Sequence, residues 1–80
     1  MPSPADIAER KGPTMHGIES RCYFWHEPRL FKWYIEVHVG SELIQTVTMD
    51  RPPTDDELNC MMHMLLTHAV WKEHNDNHPD

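Results

Sequence analysis

The pattern that most constrains this chain is an alternation of apolar and polar side chains over residues 31–39. The polar set is Lys32, Tyr34, Glu36 and His38, and the apolar set is Phe31, Trp33, Ile35, Val37 and Val39. Successive side chains of a β-strand point to opposite faces of a sheet. The period of two therefore predicts a strand over residues 30–39 with one buried face.

Two further strands are predicted on either side of this one. Residues 21–26 form the first, and Pro28 breaks the chain after it. Gly40 and Ser41 form a turn after the alternating segment, and residues 42–49 form the third strand. Because these connections are short, we expect an antiparallel meander.

The last predicted element is a helix over residues 55–74. Thr54 and Glu57 have the spacing of a capping box, in which each side chain hydrogen-bonds to the backbone amide of the other. The predicted fold class is α+β, a three-stranded antiparallel meander packed by one long C-terminal helix (βββα) over residues 19–75. The polar residues 76–80 are expected to form a disordered tail.

Residues 1–18 leave two alternatives open. Ser3 and Pro4 can begin a short N-terminal helix that Gly12 and Pro13 would end, which gives the order αβββα. An isolated helix of about eight residues is marginal in water, so the segment is otherwise a flexible leader. Met15 could also serve as an internal start.

With the N-terminal helix, the element order resembles that of the double-stranded-RNA-binding domain. The resemblance covers about residues 3–74, and residues 31–39 with the following turn look like the central strand and hairpin of that family. It implies a domain that contacts RNA. That family holds phosphates with a basic cluster at the start of its last helix, where this chain has Asp55, Asp56 and Glu57.

The net charge of −6 comes entirely from the second half of the chain. Acidic and basic residues cancel over residues 1–40, whereas residues 41–80 carry eight acids against Arg51 and Lys72. A negative surface repels phosphate backbones, so binding to nucleic acid is disfavoured. The acidic half is expected either to keep the protein soluble or to contact a basic protein partner.

The predicted helix carries two apolar stripes. At 100° per residue, Leu58, Met62, Leu65 and Ala69 share the side that faces the sheet. Cys60, Met64 and Trp71, with His68 at the margin, lie on a second stripe that points away from the centre of the core. One helix on a three-stranded sheet cannot bury both stripes. The second one either folds over a sheet edge or contacts another chain.

Parity also places aromatic side chains on the outer face of the sheet. Tyr34 points away from the buried face of its strand. In the first strand either Tyr23 and Trp25 or Phe24 must join it, depending on which set faces the core. The third strand is ambiguous as well. A two-residue turn pairs Val39 with Glu42, whereas the apolar pattern puts Leu43, Val47 and Met49 on the core face, and we favour the pattern.

Motifs for chemistry are weak. A zinc ion could be bound by Cys22, His26, Cys60 and His63. Cys22 and His26 are roughly 13 Å apart on an extended strand, however, which is too far for two ligands of one tetrahedral zinc. A thiolate pair of Cys60 with His63 or His38 lacks any sign of an oxyanion hole. No phosphate-binding glycine loop is present. We expect no enzyme activity, no catalytic residue, no metal and no cofactor.

We therefore expect a small acidic protein-binding module. It could be a homodimer, or an inhibitor or regulator of phage or mobile-element type that occupies a basic surface of its partner. The alternatives are a double-stranded-RNA-binding-like domain and a small zinc-binding module. Two cysteines favour a reduced, cytoplasmic protein, and no membrane contact is expected. The candidate partner-binding residues are Phe24, Trp25, Tyr34, Met64 and Trp71, with the acidic Asp55, Asp56 and Glu57.

Overall fold

The computed structural model describes residues 6–77 of the chain, and the side chains of residues 6–74. Four strands form one antiparallel sheet in sequence order, and a helix follows them. The strands are β1 (Ala8–Met15), β2 (Ile18–Glu27), β3 (Lys32–Val39) and β4 (Glu42–Met49), and the helix is α1 (Asp55–Asn77). The α+β class with a C-terminal helix is confirmed, but the sheet has four strands where three were predicted.

The additional strand β1 replaces the predicted N-terminal helix or leader. Met15 pairs with Ile18 across a two-residue turn, in which His16 and Gly17 have φ angles of 50° and 79°. Two successive positive φ angles are typical of a type I′ turn, whose twist matches that of a β-hairpin. Pairing with β2 supplies hydrogen bonds that a short isolated helix ended by Gly12 and Pro13 could not replace. The predicted cap at Ser3 and Pro4 lies outside the described residues.

This strand also removes the basis of the resemblance to the double-stranded-RNA-binding domain. The order in the described part of the chain is ββββα, in which a strand stands where that family has its first helix. The structured domain therefore starts at or before Ala8 and not at residue 19. At the other end, α1 continues to Asn77 into the predicted tail, of which residues 78–80 lie outside the described residues.

Strand β1 is irregular at Gly12, where it comes close to α1. The register of β1 against β2 shifts between Lys11 and Thr14, so Gly12 and Pro13 lie in an irregular stretch of an edge strand. Proline is tolerated at such a position because it needs no partner for a backbone amide. The Pro13 carbonyl accepts a hydrogen bond of 2.7 Å from the hydroxyl of buried Ser20.

The central hairpin follows the alternation in the sequence, except at its start. Ile35, Val37 and Val39 are buried on the side of α1, as predicted. Phe31 was predicted to begin this buried row, but it lies in the turn before β3 with φ of 53° and is 81% exposed. The turn holds it there, since its amide donates to the Pro28 carbonyl at 3.3 Å.

The register of β4 combines both alternatives that the sequence left open. Val39 pairs with Glu42, so Gly40 and Ser41 form the two-residue turn. The register then shifts, and Ile44 is the extra residue of a β-bulge between the partners of Val37 and His38. Beyond the bulge, Val47 and Met49 pack against the core as the apolar pattern predicts. Leu43, in contrast, is opposite His38 and half exposed, not inside.

Helix α1 packs mainly on β1, β2 and β3. Leu58, Met62 and Leu66 are fully buried, and Leu58 and Met62 belong to one core cluster with three sheet residues, Cys22, Ile35 and Val37. The predicted capping box is confirmed: the Glu57 amide donates to Thr54 Oγ1 at 3.2 Å, and the Thr54 amide donates to Glu57 Oε1 at 3.1 Å. No helix among the described residues is long and apolar enough to cross a membrane.

Candidate protein interface

The second stripe of α1 is exposed to solvent. Met64 is 63% exposed and Trp71 is 62% exposed. Cys60, one turn before Met64, and His68, between Met64 and Trp71, are exposed too. The side chains contact one another along the helix: Cys60 Sγ lies 3.7 Å from Met64 Sδ, and the rings of His68 and Trp71 stack with centroids 6.2 Å apart. We call these four residues the outer stripe.

The helix segment that carries the outer stripe contains no charged residue. Between Leu58 and Trp71 there is no Asp, Glu, Lys or Arg, and between Leu43 and Met49 of β4 there is none either. The acids of the second half flank these two segments instead. An uncharged apolar surface on a chain with a net charge of −6 is unusual for a solvated face, and such patches mark interaction sites.

The outer stripe and β4 meet in one groove. Met64 lines a groove of about 140 Å³, and its other lining residues are Met61, Leu65 and Gln45 of β4. Because α1 lies over the first three strands, Val47 and Met49 of β4 are only half buried and continue the apolar surface. We call this combined surface the uncharged face. Its β4 part was not predicted, since a strand of unresolved register gives no signal for which side chains remain uncovered.

Trp71 also lines two adjoining hollows near the C-terminal half of α1. Their volumes are about 430 and 530 Å³, and the first includes Met15 and His16 from the β1–β2 hairpin. Both hollows are open at the surface and mostly apolar. They extend the exposed surface around Trp71.

The outer face of the sheet carries the predicted aromatic residues, but they contact one another. Trp25 and Tyr34 stack with centroids 5.9 Å apart and an interplanar angle of 10°, and Tyr23 meets His38 edge to face at 5.1 Å. Of the two alternatives for the first predicted strand, the structure turns Tyr23 and Trp25 outward. Phe24 packs against the core and is not on the outer face, which corrects its assignment as a contact residue.

Basic groups near these aromatic residues are paired with acids. Arg21 lies 3.5 Å from Glu9 and 3.4 Å from Glu19, and Lys32 donates to Asp50 at 2.6 Å. The hydrogen bond to Asp50 raises the pKa of Lys32 and lowers the pKa of Asp50. These cations are therefore partly neutralised within the chain, which weakens the surface as a phosphate-binding platform.

The acidic start of α1 is also engaged within the chain. Arg51 holds Glu57 through two hydrogen bonds of 2.6 and 2.7 Å, and Arg10 of β1 donates to Asp55 at 2.7 Å. The Arg51 hydrogen bond, with those from Thr54, lowers the pKa of Glu57 to about 2. Of the three predicted contact acids, only Asp56 has a side chain without a hydrogen bond or ion pair among the described residues. Arg10 was not predicted here, because no local pattern indicates that residue 10 lies beside the helix.

The two cysteines lie in different environments. Cys22 is fully buried between the sheet and α1, where burial raises the pKa of its thiol, whereas Cys60 is exposed on the outer stripe. Among the described residues, no three His, Cys, Asp or Glu side chains are grouped so that they could hold a metal ion.

The class that fold and surface define is a small α+β domain with an uncharged apolar face. Comparison with protein-family models, with curated proteins and with solved structures gives no significant match.

Proposed function

We propose that the protein is a protein-binding module whose contact surface is the uncharged face. The observation that carries this proposal is the exposure of Met64 and Trp71, each above 60%, on a helix segment without a single charged residue. Burial of such side chains gains roughly 25 cal/mol for each Å² of apolar surface removed from water. Trp and Met are also among the residues enriched at protein interfaces.

Contact through the acidic helix start, as an inhibitor of a basic surface would require, has less support. Asp55 and Glu57 already pair with Arg10 and Arg51, and a basic partner would have to displace these arginines. Contact with nucleic acid has less support for the same reason, since Arg21 and Lys32 are paired with acids. The uncharged face needs no such exchange of partners.

Site-specific photo-crosslinking in cells that produce the full chain tests the proposal. A photoreactive phenylalanine analogue replaces Met64 in one variant, Asp56 in a second and Lys11 in a third. All three side chains are exposed, so the variants are expected to fold alike. We expect protein adducts from position 64 and none above background from position 11.

Two results would contradict the proposal. Adducts from position 56 alone would assign the contact to the acidic helix start. Equal yields at positions 64 and 11 would mean that the uncharged face makes no specific contact with any protein, its own copies included.

A further inference from the structure

The two edges of the sheet differ in how well they are protected. At one edge, β1 is irregular at Gly12 and Pro13 and carries the charged residues Glu9, Arg10 and Lys11. These are features by which proteins prevent pairing at a sheet edge. At the other edge, β4 has no proline, and Glu42 is its one charged residue.

The free edge of β4 is regular beyond its bulge. The bulge at Ile44 is followed by residues 45–49, which pair with β3 in continuous register from Val37 to Trp33. No other strand in the described part of the chain pairs with the far side of β4. Its outward backbone amides and carbonyls are thus available to an added strand, the arrangement known as β-augmentation.

The side chains next to this edge fit a second copy of the same chain. Each copy has a net charge of −6, so two copies repel unless their contact excludes the acids. Residues 43–49 and 58–71 satisfy this condition without carrying any basic residue either, and they lie side by side in the uncharged face. A basic partner would instead be drawn to the acids that flank these segments.

We propose that β4 pairs antiparallel with β4 of a second copy, so that the two sheets form one continuous eight-stranded sheet. This inference rests on the proposed function and names its partner. Antiparallel pairing of one strand with itself has two-fold symmetry, as a closed dimer interface requires. It places the half-buried Val47 and Met49 of each copy, with the groove at Met64, in a shared apolar trough between the two helices.

The solution mass of two matched variants tests the pairing. Gln45 in β4 and Thr14 in β1 are both exposed strand residues, one at each edge of the sheet, and Gln45 lines the groove at Met64. We measure the mass of the wild type, Gln45→Lys and Thr14→Lys by light scattering over an about hundredfold dilution. The wild type and Thr14→Lys are expected to be dimers, whereas Gln45→Lys places a charge from each copy in the apolar trough and is expected to raise the dissociation constant at least about tenfold. The two substitutions change the net charge equally, so a general charge effect would act on both.

Hydrogen exchange supplies an independent readout of the same contact. In a strand-paired dimer the backbone amides of β4 that face the free edge exchange slowly, while those at the free edge of β1 exchange fast. A dimer formed through the outer stripe alone would leave both edges unprotected.

The outcomes separate this inference from the proposed function. A monomer at all concentrations, or a dimer that Gln45→Lys leaves intact, overturns the strand pairing. If the monomer still gives adducts with a different protein from position 64, the binding function stands and the partner is another chain. A monomer without such adducts removes both.

Discussion

Gly12 in β1 and Met62 in α1 are packed so closely that a Cβ atom on Gly12 would lie 2.6 Å from Met62 Sδ. The same atom would lie 2.6 Å from the hydroxyl oxygen of Ser20. Both neighbours are buried, and the Ser20 hydroxyl donates to the Pro13 carbonyl. The absence of a side chain at residue 12 therefore sets how near the helix approaches this edge of the sheet.

Gly12→Ala is expected to destabilise the protein by about 1–3 kcal/mol, because an extra methyl group in a packed core forces its neighbours to shift. The measurement is the free energy of unfolding in urea. Thr14→Ala, at an exposed position of the same strand, should change it by no more than about 0.5 kcal/mol. Equal effects of the two substitutions would mean that the approach of α1 to β1 is looser than described.

The capping box gives a second prediction. Thr54→Ala removes the acceptor of the Glu57 amide and should lower the free energy of unfolding by about 1 kcal/mol. Thr67→Ala is the control, since Thr67 is exposed in the middle of α1 and alanine favours a helix there. Thermal unfolding followed by circular dichroism measures both. A loss at Thr67 as large as that at Thr54 would contradict a specific role of the cap.

The pH dependence of stability follows from Glu57. Its pKa is about 2 in the folded protein, below the ordinary 4.5, chiefly because Arg51 hydrogen-bonds to the carboxylate. In this pH range the unfolded chain binds the proton more readily, so stability falls as the pH falls from about 4.5 to about 2. Lys32 lowers the pKa of Asp50 in the same way, so protonation of Asp50 also reduces stability as the pH falls.

The substitution Glu57→Gln isolates the contribution of Glu57 to the pH dependence of stability. The midpoint of thermal unfolding, measured from about pH 5 to about pH 2, should fall less steeply in this variant than in the wild type. The contribution of Asp50 remains in both proteins and cancels in the comparison. Parallel curves would show that the pair with Arg51 does not persist in solution.

The elements with local signals were predictable from the sequence, and those that depend on distant pairing were not. The alternation before Val39 and the capping box at Thr54 act within a few residues, and both are found where they were predicted, except that Phe31 lies in the turn before β3. Strand β1 exists through its pairing with β2 and a turn in which His16 adopts a positive φ, a conformation that non-glycine residues rarely take.

The candidate interface was likewise predictable from the sequence only in part. Helical periodicity alone indicated that Met64 and Trp71 would share a second stripe of α1, beside the buried stripe of Leu58 and pointing away from the centre of the core. The groove between Met64 and Gln45 depends on where the helix crosses the sheet and on the bulge at Ile44. Neither the apolar pattern nor the turn residues specify these two features. The sequence therefore indicated an exposed apolar helix face, but not the strand edge beside it.

A final prediction concerns the stacked pair of Trp25 and Tyr34 on the outer face. Their rings are nearly parallel at 5.9 Å and lie on directly paired residues of β2 and β3. Such pairs contribute about 0.5–1.5 kcal/mol beyond the burial of each ring. A double-mutant cycle of Trp25→Ala and Tyr34→Ala, measured by urea unfolding, should give a coupling energy in this range.

A cycle of Trp25→Ala with Thr14→Ala, near the far end of the sheet, should give less than about 0.5 kcal/mol. Coupling in the first cycle alone means that the two rings stabilise the sheet through each other. No coupling in either cycle would instead mean that Trp25 and Tyr34, both half-buried on the outer face, do not stabilise the sheet through their stacking.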